Sequence, residues 1–130
     1  MRRLLLLSVF CLSLLVGCGG DKKSEGNSES RLDPNTDAGR GEQVFKTYCA
    51  TCHAIKGDRV VVGPSLEGIA TRAATRIEGL SAEDYIRESI LYPNDFTVPN
   101  FAEGMMQQNF ASQLTSDDVN YLVAYLMTLD

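Results

Sequence analysis

The sequence predicts an all-α domain of about three to five short helices joined by long loops. Three observations carry this prediction. Apolar residues recur at helical spacing in separate stretches, as one buried face of a 3.6-residue period requires. A Ser, Thr or Asp stands at the start of each stretch, where a side-chain oxygen can accept from the free N–H groups of the first turn. No segment alternates apolar and polar residues strongly enough for strands, and there is no internal repeat.

The first helix starts at Thr36 or Asp37 and carries Val44, Phe45 and Tyr48 on one face. Gly39 and Gly41 weaken it slightly but permit close approach of another backbone. A short helix is expected around Leu66 to Arg76. Ser81-Ala82-Glu83-Asp84 is a start signal with an acid three residues after the cap. Tyr85, Ile86, Ser89 and Ile90 follow at helical spacing until Tyr92-Pro93 stops the run. Thr115-Ser116-Asp117-Asp118 repeats the start signal. Val119, Leu122, Val123, Leu126 and Leu129 then form the apolar stripe of a final helix expected to reach the chain end. Gly57–Pro64 and Pro93–Gln113 read as loops. Loops of that length in a small domain imply that something is packed beneath them.

Residues 1–36 read as lying outside this fold. Arg2 and Arg3 precede the uncharged, mostly apolar stretch Leu4–Val16, which suits an export signal and is too short to span a bilayer as a helix. Leu15-Val16-Gly17-Cys18 resembles the bacterial lipobox, which implies cleavage after residue 17 and acylation of Cys18. Cys11 falls within the signal and reads as a small hydrophobe. Two or more acyl chains hold a protein stably on a membrane without a spanning helix. Residues 19–36 contain one large apolar side chain, Leu32, and read as a flexible tether of roughly 23 Å typical end-to-end distance. The folded domain is then 37–130, with seven basic and thirteen acidic side chains, a net charge of -6. An acidic domain of this kind argues against nucleic acid as a partner.

The chemistry is concentrated in Cys49-Ala50-Thr51-Cys52-His53, the C-x-x-C-H pattern of c-type haem attachment. Two thiols at this spacing add to the two haem vinyl groups, and the adjacent imidazole supplies a neutral nitrogen to iron. Other readings of a C-x-x-C are a structural zinc site, a thioredoxin-like dithiol and a strained disulfide. Zinc would need a fourth ligand beyond the two cysteines and single histidine of residues 37–130. The dithiol reading needs a β-α-β context that is missing here. For a sixth iron ligand the mature chain offers Met105, Met106 and Met127. Met127 falls near the apolar stripe of the final helix, whereas Met105 and Met106 lie in the long loop.

From about Gly39 onward the chain resembles a class I cytochrome c, and in particular the small bacterial domains associated with haem-copper oxidases. The resemblance rests on Cys49–His53, on Val62-Gly63-Pro64-Ser65-Leu66-Glu67-Gly68, on Arg72, on Tyr85-Ile86, Ser89-Ile90 and Pro93-Asn94, and on Tyr121–Leu129. It implies a small cytochrome c fold around one covalent haem c, bound through Cys49 and Cys52. It also implies His53 and Met106 as iron ligands, a Pro64 carbonyl accepting from the His53 imidazole, Arg72 near a haem propionate, and a terminal helix crossing the first near Gly41 and Phe45. The family loop usually reads Met-Pro, whereas here Met106 precedes Gln107; aligning Gln108-Asn109-Phe110 with the family run selects Met106 over Met105. The implied activity is electron carriage without catalysis, on the extracytoplasmic side of a bacterial membrane. The implied partners are a quinol-oxidising donor complex and a terminal oxidase as acceptor. Two other classes remain at this point. One is a haem enzyme or redox or gas sensor with an open sixth site. The other is a structural subunit whose haem staples the fold.

Overall fold

A computed structural model describes residues 32–130. The expected signal, Cys18 and most of the expected tether lie outside them. The described chain forms five α-helices in the order α1 (Asp37–Tyr48), α2 (Ile69–Ala73), α3 (Ala82–Leu91), α4 (Phe110–Gln113) and α5 (Ser116–Leu126). There are no strands among the described residues. No helix there is long and apolar enough to cross a membrane.

Local chemistry starts the three long helices. The Thr36 hydroxyl accepts from Gly39 N at 3.1 Å, and the Ser81 hydroxyl accepts from Asp84 N at 3.1 Å. Thr115 completes a capping box: its hydroxyl accepts from Asp118 N at 3.1 Å, and its own N–H donates to Asp118 Oδ2 at 3.0 Å. The two hydroxyl–carboxylate contacts, Thr115 Oγ1 to Asp118 Oδ2 at 2.7 Å and Ser81 Oγ to Asp84 Oδ2 at 2.6 Å, tighten these turns further.

The apolar faces then select partners. α1 packs chiefly against α5. Phe45 meets Tyr125 with ring centroids 5.4 Å apart and planes tilted by 52°. Val119, Leu122, Val123 and Leu126 are buried beside them, with Leu122 fully enclosed. α3 contributes Tyr85, Ile86 and Ile90 to the same core. Arg40 ties the outer edge of the α1–α5 pair, donating to the Tyr121 hydroxyl at 2.9 Å.

Three boundaries differ from the sequence expectation. α5 ends at Leu126, because the Thr128 hydroxyl takes the Tyr125 carbonyl at 2.6 Å and the Leu129 carbonyl turns to accept from Ala70 N at 3.2 Å. Leu129 thus packs through a turn and Met127 is the C-cap, half-buried against the core. The helix expected over Leu66–Arg76 is confined to Ile69–Ala73, since Gly68 precedes it in the left-handed region at φ 67°. The loop read over Pro93–Gln113 closes with α4, a single turn held by the buried ring of Phe110.

Candidate functional site

α1 ends where the chemistry begins. Cys49 is its C-cap, and the Cys52 and His53 N–H groups each donate to the Cys49 carbonyl at 3.0 Å. The chain therefore turns within one tight loop, which puts both sulfurs and the imidazole on the wall of a single cleft. The following loop is pinned back onto this turn. Val62 N and Gly63 N donate to the Cys52 carbonyl at 3.2 and 2.9 Å, and Leu66 N donates to the Ala54 carbonyl at 2.8 Å. That pinning brings the Pro64 carbonyl to the imidazole, and His53 Nδ1–H donates to it at 2.8 Å. With the proton held on Nδ1, the Nε2 lone pair is left available to a metal.

Gly63 is required by this closeness. A Cβ there would lie 2.9 Å from both His53 ring nitrogens and closer still to Cε1, so no side chain fits beside the ring.

The cleft is open and apolar, with about 1380 Å³ of space inside it and its mouth. Phe45, Leu66, Ile69, Ile86, Ile90 and Phe110 are among its walls. Cys49, Cys52, His53, Pro64, Arg72, Met105 and Met106 all line it, so the structure brings together every expected site residue except Cys18, which lies outside the described residues. The two loop methionines differ. Met106 is half-buried and packs against the core, whereas Met105 is 53% exposed. Arg72 lines the cleft but its guanidinium is already engaged: Nη2 donates to the Ser65 carbonyl at 2.9 Å and Nη1 donates to the Glu67 carbonyl.

The surroundings of Cys49 suit a neutral sulfur. Burial pushes the Cys49 thiol up to about 11, and the nearby Cys52 adds to the effect. A thioether, unlike a free thiolate, carries no charge to desolvate. Among the described residues no group of three or more His, Cys, Asp or Glu side chains is placed to hold a metal ion. That donor set does not favour zinc. A large flat apolar group carrying two vinyl groups, by contrast, suits an apolar cleft lined by both cysteines and the imidazole.

Comparison with known proteins agrees. The cytochrome c family model matches residues 38–130. The chain belongs to the cytochrome c family. A cytochrome c of Gibberella zeae is 31% identical over 97 residues, covering 69% of this chain and 92% of that protein. A cytochrome c2 iso-2 of Magnetospirillum molischianum is 29% identical over 89 residues, covering 64% of this chain and 92% of that protein. A cytochrome c of Stellaria longipes is 41% identical over 49 residues, and there the match spans 45% of the relative. As a cytochrome c, the chain carries one covalently bound haem c with iron, and Cys49 and Cys52 fit its attachment motif. The five-helix architecture without strands among the described residues is the all-α cytochrome c fold, and the cytochrome c homologues support a mono-haem electron carrier.

Sequence reasoning passed over several residues of the cleft, Gly63, Arg76 and Thr97 among them. Gly63 was legible only as part of the Val62–Gly68 motif; its contact with the imidazole is tertiary. Arg76 and Thr97 also line the cleft. Arg76 lies three residues beyond the end of α2, and like Arg72 it lines the cleft. Nothing local marks Thr97.

Proposed function

We propose that this chain is a membrane-tethered mono-haem cytochrome that passes single electrons between respiratory complexes, from a quinol-oxidising complex to a terminal oxidase. The carrying observation is one apolar cleft bordered by Cys49, Cys52 and an oriented His53, and also by the half-buried Met106. Haem, when bound, supplies a ferric–ferrous couple that gains and loses one electron.

The protein's residues do the rest. Cys49 and Cys52 would hold the group through thioethers, and His53 Nε2 would ligate its iron. The Pro64 carbonyl fixes the imidazole's tautomer and direction. Met106 would ligate the iron as well, and a thioether there would favour the reduced state. Arg72 braces the loop that carries Pro64, through its bonds to Ser65 and Glu67, and presents its charge at the cleft. Two protein ligands would leave no open iron position for oxygen or peroxide chemistry, which supports a carrier rather than an enzyme. The apolar walls exclude water and limit the rearrangement that accompanies each electron.

Cys18 is the proposed lipid attachment site, supported by the sequence resemblance to a lipobox. A tether raises the effective concentration at membrane partners towards the millimolar range, so a weak, fast-dissociating interface suffices. The net charge of -6 over residues 37–130 suits a partner with a basic docking patch.

Redox titration of the purified full chain tests the carrier. One reversible one-electron wave, with slow or negligible binding of carbon monoxide, is the expected result; rapid carbon monoxide binding would favour a sensor or enzyme. Cys18→Ala should release the domain from membranes with its haem intact, and retention after a salt wash would place the anchor elsewhere.

A further inference from the structure

Two methionines stand side by side at the cleft, and the fold treats them differently. Met105 and Met106 both line it. Met106 is half-buried and packs against the core, whereas Met105 is exposed. The loop around Met105 is held by its neighbours. Gly104 N donates to Asn94 Oδ1 at 2.9 Å, Gln108 Nε2 donates to the Met106 carbonyl at 2.6 Å, and Gln107 Nε2 donates to Gln113 Oε1. None of these bonds uses the Met105 side chain. Oxidation turns a flexible apolar thioether into a polar sulfoxide, which disrupts packing where the methionine is part of a core. At Met105 the polar product stays in water, and the loop loses none of the bonds that hold it.

We propose that Met105 is an oxidation site, which takes oxygen from a peroxide while Met106 stays a thioether on the iron. The Met105 Sδ lone pair attacks one oxygen of the peroxide. The S–O bond forms as the O–O bond breaks, and the departing hydroxide takes the proton of the hydroxyl left on sulfur and becomes water. Sulfur loses two electrons and the peroxide gains two. The choice between the neighbours has two causes. A peroxide needs access, which the exposed Met105 gives. It also needs a free sulfur lone pair, and the ligand's is committed to iron. A group in the cleft adds cover to both side chains but engages the sulfur of only one. The proposal therefore rests on the reading of Met106 as the ligand. Its consequence is local: the mouth of the cleft, where Tyr48 and Val62 are also exposed, becomes more polar while the iron keeps both ligands.

The test exposes the full-length ferric holoprotein to hydrogen peroxide and follows two readouts in time. Fragment mass spectrometry gives the oxygen gained by each methionine, and absorption gives the far-red sulfur-to-iron band. The expected result is that Met105 gains one oxygen atom while Met106 gains none and the band keeps its starting intensity. Met105→Leu, which keeps an apolar side chain of similar size, should remove that uptake and keep the band. Oxygen on Met106 as early as on Met105 would overturn the proposal. So would decay of the band in step with oxygen uptake at Met105, or undiminished uptake by the loop in Met105→Leu. Absence of the far-red band from the wild-type protein before any peroxide is added is a separate result: it would overturn the ligand reading and this proposal with it.

Discussion

Gly41 of α1 and Tyr121 of α5 mark the point where the two helices cross with no room for a side chain between them. A Cβ at Gly41 would run into the Tyr121 carbonyl and come within 2.7 Å of Tyr125 Cβ. The crossing sets Phe45 against Tyr125 and sends the end of α1, with Tyr48 and Cys49, to the cleft. A wider crossing would loosen the core and move the cysteines together. Gly41→Ala should therefore destabilise the fold by about 1–3 kcal/mol, the usual cost of overpacking. For a domain of this size each kcal/mol lowers the melting temperature by about 4–8 °C. A thermal melt indistinguishable from wild type would contradict the close crossing.

Gly63→Ala should act on the site rather than on the helices. The added methyl meets the His53 ring, so the ring must move and the 2.8 Å bond to the Pro64 carbonyl must lengthen or break. The expected outcome is a smaller fraction of six-coordinate low-spin haem in the absorption spectrum and faster binding of added cyanide. A wild-type spectrum and cyanide rate would mean that the loop carrying Pro64 yields without disturbing the imidazole.

The capping box at α5 predicts a pH dependence. The Thr115 hydroxyl and N–H donate to Asp118 and hold its carboxyl below the ordinary carboxylate value. A carboxyl lowered in the folded state contributes stability above its unfolded pKa and loses that contribution as acidification proceeds through the folded value. Thr115→Ala should cost about 0.5–2 kcal/mol at neutral pH, as loss of such a cap does. The difference from wild type should shrink as the pH falls below about 4. Denaturant melts at pH 7 and at pH 3 measure it, and an equal difference at both would contradict the carboxylate's share in the cap.

The helix starts were legible because they are local. Thr36, Ser81 and Thr115 bond within three residues of themselves, and a reader of the sequence needs nothing else. α4 was not legible, since four residues carry no periodicity and the turn depends on burying Phe110 in a core assembled from other helices. The end of α5 was misread for a related reason. Leu129 continues the apolar stripe, but its carbonyl is claimed by Ala70 in α2. The attachment motif was legible because its chemistry fixes residue type and spacing together. Thr97 was not: a threonine between Phe96 and Val98 is ordinary, and only the folded chain isolates its hydroxyl. Met105 and Met106 are adjacent and chemically identical, so sequence spacing alone separates them poorly, whereas their burial differs.

That difference gives the most direct measurement of the central claim, that His53 and Met106 fill both axial positions of an electron-carrying haem. The weak far-red sulfur-to-iron band of the ferric protein should be recorded for wild type, Met105→Ala and Met106→Ala, together with the reduction potential. Met106→Ala should lose the band, open the site to cyanide and carbon monoxide and lower the potential, because methionine favours the ferrous state. Met105→Ala should leave all of these close to wild type. Loss of the band in Met105→Ala alone would assign the ligand to the neighbouring methionine. No band in the wild-type protein would contradict the claim outright, since the sixth position would then be open and the chain a binder of small ligands.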